Sequence, residues 1–407
     1  MRILNKSSNG VSGDQEESAS IVHAAGLIVT VSLILLFGLT MLYSTSSNIA
    51  GSSFFVKQLF WAVLGLAAAL TVFVIGYRKL LDCSLALIGL SIILLIAADF
   101  FFPAVNGAHR WIPIPKVGNI QPSELAKIAI CLFLAKFCSE KMRYINEIFS
   151  FKKGVVIPAC MVCGPVLALV LLGKDLGTTC LLFAVMMLIF FAAGLQLRWS
   201  VLPFAVLPPL GLWIIKHFDP ERWSRLTSFL NPELCEKTDG YQLWLSILAL
   251  GSGGTYGVGF TESRLKASYL PENHTDFILA IVGEEMGYIG LCAVLVAYAA
   301  FIFFAIQISI NARTKQGMLL GFGLSSTLML QAIINIGVVS GALPTKGMPA
   351  PFISYGGSNL IICLTAVGFL LSIAAESASP GLNEFIWDLA KSKLQYLNPA
   401  RLFASPK

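Results

Sequence analysis

Ten apolar runs, each about as long as a bilayer is thick, constrain this chain more than any other feature of its sequence. A spanning helix needs about 20 predominantly apolar residues. Only 12% of the 407 residues are charged and the mean hydropathy is +0.78, whereas soluble domains carry about a quarter charged residues. These values exclude a soluble enzyme and predict an all-α, polytopic membrane protein.

Charged residues and Pro/Gly clusters separate the runs and set the predicted boundaries of the spans. The ten predicted transmembrane helices lie at about 22–46, 54–76, 81–102, 122–138, 154–172, 176–195, 200–217, 277–306, 317–341 and 352–375. The longest polar segment, about 218–276, separates the seventh span from the eighth. Within it, the apolar stretch 241–250 is too short to cross a bilayer, which predicts a re-entrant or interfacial helix.

The distribution of Lys and Arg predicts the orientation, because cytoplasmic loops carry an excess of both. Counted over the short loops and the tails alone, one side of the predicted bundle has sixteen of them and the other side five. This asymmetry places both termini in the cytoplasm and the 218–276 loop outside it. The predicted organisation is a cytoplasmic tail at 1–21, a membrane domain at 22–376 and a second cytoplasmic tail at 377–407. The net charge of +6 follows this membrane pattern and does not imply nucleic acid.

Ionisable residues near the outer ends of spans are the candidates for chemistry, because charge at membrane depth costs several kcal/mol or more. Asp276 opens the eighth span. It could serve as a catalytic carboxylate, or simply favour the helix dipole in a first turn capped by Thr275. Glu284 and Glu285 lie further along the same helix. We expect at least one of them to face the interior and to find a cation.

Two further groups of charges have both a structural and a functional interpretation. Glu124 and Lys127 lie three residues apart at the start of the fourth span, where a self-satisfying structural pair is the favoured interpretation from spacing alone. Several cations stand on the side that should be depleted of them. These could solubilise loops or hold a diphosphate or another anionic head group. They are Arg110, Lys116, Arg222, Arg225, Arg264, Lys266 and Lys346.

Seven motifs in order along the chain resemble the SEDS family (shape, elongation, division and sporulation). Two segments, Gly240-Tyr-Gln-Leu243 and Leu343-Pro-Thr-Lys-Gly347, resemble its division branch more than its elongation branch. The motifs are Asn106-Gly-Ala-His-Arg-Trp-Ile112, Gln121-Pro-Ser-Glu-Leu-Ala-Lys127, Asp175-Leu-Gly-Thr178, Gly240-Tyr-Gln-Leu243, Gly251-Ser-Gly-Gly254, Leu270-Pro-Glu-Asn-His-Thr-Asp-Phe277 and Pro351-Phe-Ile-Ser-Tyr-Gly-Gly-Ser358. The chain departs from the usual family pattern at three positions, with Lys174 in place of Pro, Ala350 in place of Leu and Asn359 in place of Ser.

The resemblance implies a peptidoglycan glycosyltransferase that polymerises lipid II on the outer face of the cytoplasmic membrane at the division septum. It implies Asp276 as the general base. Its motifs and the outer cations supply the candidate substrate-binding residues Arg110, Lys116, Glu124, Lys127, Asp175, Arg222, Lys346 and Ser354. The implied partners are a class B penicillin-binding protein and other divisome proteins, and a divalent cation, Mg²⁺ or Mn²⁺, is a candidate cofactor.

Two other function classes fit a ten-span protein. A lipid II flippase would also need many spans and an interior polar path, although such a path should present polar residues to both faces of the membrane. A non-catalytic divisome scaffold would not need the outer acidic and basic motifs. The concentration of polar motifs on one side therefore favours the enzyme.

The charge asymmetry generates a prediction about topology. A cysteine introduced at Glu262 should react with a membrane-impermeant thiol reagent in intact spheroplasts, because the 218–276 loop is predicted to lie outside. A cysteine introduced at Asn146 should react only after the membrane is opened. Labelling is measured above the background of the native cysteines, and the reverse pattern would contradict the predicted orientation.

Overall fold

The computed structural model describes most of the chain as a bundle of long helices. The described residues are 8–46, 53–104, 108–114, 118–148, 150, 153–218, 220–230, 232–235, 240–266, 274–379, 381–382 and 385–388. The elements are α1 (Ser8–Ser46), α2 (Ser53–Ile75), α3 (Tyr77–Asp82), α4 (Ser84–Phe101), β1 (Ile112–Ile114), β2 (Gly118–Ile120), α5 (Pro122–Glu140), α6 (Val156–Leu172), α7 (Leu176–Ala192), α8 (Leu197–Phe218), α9 (Pro220–Ser228), α10 (Tyr241–Ser252), α11 (Ile278–Ile310), α12 (Lys315–Val339) and α13 (Gly357–Ala378).

Each of the ten predicted spans corresponds to one long helix, so the predicted fold class is confirmed. Seven of the described helices are long and apolar enough to cross a membrane, and α6 and α7 are shorter apolar helices. The tenth, α5, is 19 residues long and carries charged residues at both ends. The largest difference lies in α1, which begins at Ser8, well before the predicted start of the first span at residue 22.

Burial separates central from peripheral helices. α5, α12 and α13 are rich in buried residues, and α12 packs against α5, α7, α11 and α13. In contrast, α8 contains Pro203, Pro208 and Pro209 and exposes most of its apolar side chains. An exposed apolar face in a membrane protein contacts lipid, since lipid tails are as apolar as leucine. The site described below is accordingly built on the central helices.

The short apolar stretch in the long polar segment forms a helix, as predicted. α10 has 12 residues, too few to span a bilayer, and it buries Leu243, Leu245 and Ala249 against the bundle. The Ser246 hydroxyl donates a hydrogen bond to the carbonyl of Val339 at the end of α12, at 2.8 Å. α10 therefore packs on protein, which is the condition under which a non-spanning helix is tolerated at membrane depth.

A break within α11 frees backbone groups that hydrogen-bond to the loop after α10. Gly287 adopts φ 67° and ψ −163° inside the helix, a left-handed φ that favours glycine. A Cβ there would collide with the Gly257 amide nitrogen. The backbone groups freed by the break are satisfied: the amide of Tyr288 donates to Gly254 O at 2.9 Å, and the amide of Val258 donates to Glu284 O at 2.9 Å.

The same region contains a fully buried ion pair. Lys266 Nζ lies 2.7 Å from Glu285 Oε1, and both side chains are 0% exposed. Ser44 on α1 completes the cluster, since Lys266 Nζ donates to its hydroxyl at 2.9 Å and that hydroxyl donates to Glu285 at 2.7 Å. The expectation that Glu284 or Glu285 would find a cation is confirmed. This Lys266–Glu285–Ser44 cluster ties the long polar segment to α1 and α11.

Removal of one partner from this cluster should destabilise the fold. Lys266→Met leaves the Glu285 carboxylate buried without its cation, which should lower the free energy of unfolding by about 3–5 kcal/mol. The measurement is denaturant unfolding of the purified protein in detergent. The double variant Lys266→Met/Glu285→Leu should recover part of the loss, because it removes both charges.

A more exposed ion pair provides the matched control. Lys136 lies 2.7 Å from Asp82, and the two side chains are 31% and 76% exposed. Lys136→Met should therefore cost no more than about 1 kcal/mol. Equal losses in Lys266→Met and Lys136→Met would contradict a stabilising role for the buried cluster.

Candidate active site

Asp276 lies between two helices at one end of the bundle. α11 begins at Ile278 with Phe277 as its N-cap and without a side-chain cap. Asp276 thus precedes the helix and does not lie in its first turn, which was part of the structural interpretation. The Asp276 carbonyl accepts a hydrogen bond from Asn335 Nδ2 on α12 at 2.8 Å. Its position is set by tertiary contact.

The segment between α12 and α13 passes directly beside the Asp276 carboxylate. A Cβ built on Gly347 would lie 3.0 Å from Asp276 Oδ2, so the absence of a side chain at Gly347 leaves room next to that oxygen. Lys346 precedes Gly347 and reaches the first turn of α7, where a Cβ on Gly177 would lie 3.4 Å from Lys346 Cδ. The loop therefore brings an acid and a cation into one neighbourhood.

A polar cavity of about 140 Å³ opens at this point. Three cations line it, namely Arg110, Lys174 and Lys346, with Asp175 as the one lining acid. The remaining lining residues are Leu176, Gly177, Leu226, Pro344, Thr345, Gly347 and Met348. An excess of positive charge in a small polar cavity favours an anionic ligand.

Arg110 has unused hydrogen-bonding capacity in this cavity. Its Nη1 lies 3.8 Å from Asp175 Oδ1, a long contact for an ion pair. Its Nε is buried and has no hydrogen-bond partner within the described part of the chain. A buried donor without a partner costs free energy. A ligand with acceptor oxygens would satisfy it.

Asp175 has a structural task in addition to facing the cavity. Its carboxylate caps α7 by accepting from the Thr178 amide at 3.2 Å, and it accepts from Gln121 Nε2 at 3.1 Å. These contacts hold the start of α7 against the start of α5. The carboxylate therefore neutralises only part of the charge that Arg110 brings to the cavity.

Glu124 and Lys127 form the ion pair that their spacing favours, but Glu124 Oε2 is buried without a hydrogen-bond partner among the described residues. Lys127 Nζ lies 2.8 Å from Glu124 Oε1, and their side chains are only 3–4% exposed. Lys127 also donates to Gln331 Oε1 at 3.0 Å, and Gln331 Nε2 donates to the Pro349 carbonyl at 2.9 Å. The pair is thus connected through Gln331 to the loop after Lys346. It does not line the cavity. Its substrate-binding role stays a prediction.

The remaining candidate residues are placed differently or lie outside the description. Ser354 is buried, and its hydroxyl accepts a hydrogen bond from the Ala350 amide at 2.8 Å, so it closes a turn. Lys116 lies outside the described residues, and Arg222 lies on α9 with a side chain outside the description. Substrate binding by all three stays a prediction.

Four residues at this site were missed by reasoning from the sequence, namely Lys174, Gln331, Asn335 and Gly347. Lys174 adopts φ 62°, which is uncommon for a residue other than glycine and is a conformation that recurs at active sites and ligand-binding loops. Proline, the usual family residue there, cannot adopt that φ. The departure from the family pattern at Lys174 was visible in the sequence, but the contacts of the other three were not.

A protein-built metal site is not evident at this cavity. Within the described ranges, no three His, Cys, Asp or Glu side chains are grouped closely enough to hold a metal ion. Asp175 is engaged by Thr178, Gln121 and Arg110. The described side chains by themselves therefore do not fit a site for Mg²⁺ or Mn²⁺.

The fold and the cavity define a class: a polytopic helical membrane protein with a cationic cavity beside a carboxylate at one end of the bundle. Residues 19–379 match the family model described as cell cycle protein, which covers FtsW, RodA and SpoVE. The chain belongs to this family, and the predicted family membership is confirmed.

Relatives of known name match over most of their length. A protein of Geobacter metallireducens named probable peptidoglycan glycosyltransferase FtsW is 37% identical over 351 residues, covering 84% of this chain and 91% of that protein. Stage V sporulation protein E of Bacillus subtilis is 36% identical over 367 residues, covering 86% and 96%. The relatedness thus covers more than four fifths of this chain.

Solved structures share the fold. One chain of a peptidoglycan synthase complex that coordinates polymerization and crosslinking aligns with a TM-score of 0.74 and 25% identity, covering 87% of this chain and 98% of that chain. The rod shape determining protein RodA of Thermus thermophilus aligns with a TM-score of 0.63 and 25% identity, covering 86% and 96%. The bundle described above is the fold of these proteins.

Proposed function

We propose that the chain is a peptidoglycan glycosyltransferase that polymerises lipid II into glycan strands for septal wall synthesis. The observation that carries this proposal is the Asp276 carboxylate beside a cavity lined by Arg110, Lys174 and Lys346. The names of the relatives support the same activity. A carboxylate next to a group of cations is what transfer of a sugar from a diphosphate requires.

Asp276 and the cavity cations supply the groups that the proposed reaction needs. Lipid II carries its sugar through an α-linked diphosphate and the product linkage is β-1,4, so a single inverting displacement suffices. The acceptor hydroxyl oxygen attacks the anomeric carbon, its proton passes to Asp276, and the bond to the diphosphate oxygen breaks with its electron pair. The three cavity cations stabilise the negative charge of the departing diphosphate.

The placement of charge favours an enzyme over a flippase. The cavity cations and Asp276 lie together at one end of the bundle. The pair Glu124–Lys127 lies beneath them and is closed off from solvent at 3–4% exposure. An open polar path to the other end would be needed for translocation. The polar groups described here are arranged for chemistry at one membrane face.

The cellular setting is part of the proposal. The excess of Lys and Arg on the opposite side supports cytoplasmic termini and a cavity on the outer face of the bacterial cytoplasmic membrane. The likeness to a chain of a peptidoglycan synthase complex supports a class B penicillin-binding protein as partner. Within the divisome, that partner would cross-link the strands that this chain makes.

The cavity cations should control binding of the diphosphate. Arg110→Ala or Lys346→Ala removes a charge-assisted hydrogen bond of roughly 1.5–3 kcal/mol, so kcat/KM for lipid II should fall about ten- to a hundredfold. Lys174→Ala should have a smaller effect, because Lys174 is exposed to solvent. Polymerisation of labelled lipid II by the purified protein with its partner synthase measures all three.

Lys57 provides the matched control for the cavity cations. It is an exposed lysine on α2 near the same end of the bundle, and it does not line the cavity. Lys57→Ala should leave kcat/KM unchanged. Equal effects of Lys57→Ala and Lys346→Ala would show that general surface charge, and no specific site, attracts the substrate.

Asp276→Asn tests the base directly. The variant keeps the size of the side chain and the backbone contact with Asn335 but cannot accept the proton. Polymer formation should fall roughly 10²–10⁴-fold, while lipid II binding and partner binding persist. Glu262→Gln, at an exposed acid of the same polar segment, should retain activity.

The outcomes of the Asp276→Asn experiment separate the candidate functions. Near-normal polymer from Asp276→Asn would refute the assignment of the base. Movement of lipid II across proteoliposome membranes without polymer formation by the unmodified protein would instead favour the flippase.

A further inference from the structure

One buried amide on α12 joins the two segments that meet at the candidate active site. Asn335 is 1% exposed. Its Nδ2 donates to the Asp276 carbonyl at 2.8 Å and to the Met348 carbonyl at 2.7 Å. Both N–H groups of the amide are therefore used, one on each segment.

We infer that Asn335 is a positioning residue that sets the distance between the Asp276 carboxylate and the Lys346–Gly347 segment. The inference rests on the proposed function, because it concerns the alignment of the proposed base. Asn335 does not line the cavity and is not assigned any contact with substrate. It acts through Asp276.

The separation that Asn335 controls is small. A Cβ on Gly347 would lie 3.0 Å from Asp276 Oδ2, and Gly347 immediately precedes the Met348 carbonyl that Asn335 holds. A displacement of about 1 Å between reacting groups can cost a hundredfold in rate. A donor that holds both segments at once would therefore affect the rate of reaction more than the binding of substrate.

Asn335 joins the two segments at Asp276 itself, and other contacts hold them further along the chain. The Tyr355 amide donates to the His274 carbonyl at 2.9 Å, close to Asp276. Gln331, one turn earlier on α12, donates to the Pro349 carbonyl at 2.9 Å. These contacts keep both segments attached in the absence of Asn335. Loss of Asn335 should consequently shift their spacing without releasing either one.

The test is the steady-state kinetics of Asn335→Leu with lipid II, using the full chain in complex with its partner synthase. Leucine has a similar volume and donates no hydrogen bond. We expect kcat to fall about ten- to a hundredfold while KM stays within about twofold, because Asn335→Leu removes none of the cavity cations. Asn335→Ser, whose smaller side chain leaves room for water, should give the same pattern if Asn335→Leu fails to accumulate.

Ser246→Ala is the matched control. It also removes a buried side-chain hydrogen bond to α12, the 2.8 Å contact with the Val339 carbonyl, and it touches neither Asp276 nor the 345–348 segment. It should keep the kcat of the unmodified protein. A kcat loss in Ser246→Ala equal to that in Asn335→Leu would assign the effect to general weakening of α12 and overturn the inference.

A double variant distinguishes action through Asp276 from an independent effect. If Asn335 acts by aligning the base, Asn335→Leu should not lower further the residual rate of Asp276→Asn. Losses that multiply in the double variant would overturn the inference, as would an unchanged kcat or a rise in KM that accounts for the whole effect.

A different experimental result would refute the proposed function. A near-normal rate in Asp276→Asn would refute the base itself. An inactive Asp276→Asn combined with a fully active Asn335→Leu would refute only the positioning role of Asn335.

Discussion

The bilayer supplies no hydrogen-bond partners, and this constraint shapes every irregular part of the protein. Backbone that is not helical must be satisfied by other protein groups at membrane depth. The break in α11 at Gly287 meets this requirement, because the loop after α10 forms the backbone hydrogen bonds that the helix itself cannot form there. The buried charge of Glu285 meets it through Lys266 and Ser44. These contacts fasten the polar segment after α10 to the spanning helices α1 and α11.

The same constraint divides the charged residues into two kinds. Glu124–Lys127 and Lys266–Glu285 are sealed, close pairs at 2.8 and 2.7 Å. Such pairs offset the cost of burying each charge and tie elements together. Arg110, in contrast, lines an open cavity from which a ligand could reach it. Charged residues therefore stabilise the fold where they are buried in pairs, and they are available to bind a ligand where they line an open cavity.

α12 organises the site because its polar side chains point at the segments that carry the chemistry. Gln331 connects the buried Glu124–Lys127 pair to the Pro349 carbonyl, and Asn335 connects the Met348 and Asp276 carbonyls. Two amides one turn apart on a central helix thus support the base and the loop that bears Lys346. A site built on a rigid helix can hold a spacing more closely than one built on loops alone.

The sequence by itself determined the helical class, the ten long helices, the family, and Asp276 as the leading candidate for the base. Hydropathy and short ordered motifs are local properties, so they can be read without coordinates. The tertiary structure alone decided that Glu124 and Lys127 are buried, that Ser354 closes a turn, and that Lys174 lines the cavity. It alone showed Asn335 between Asp276 and Met348, because these contacts join residues far apart in the chain, and no local pattern encodes which distant carbonyl a buried amide will meet.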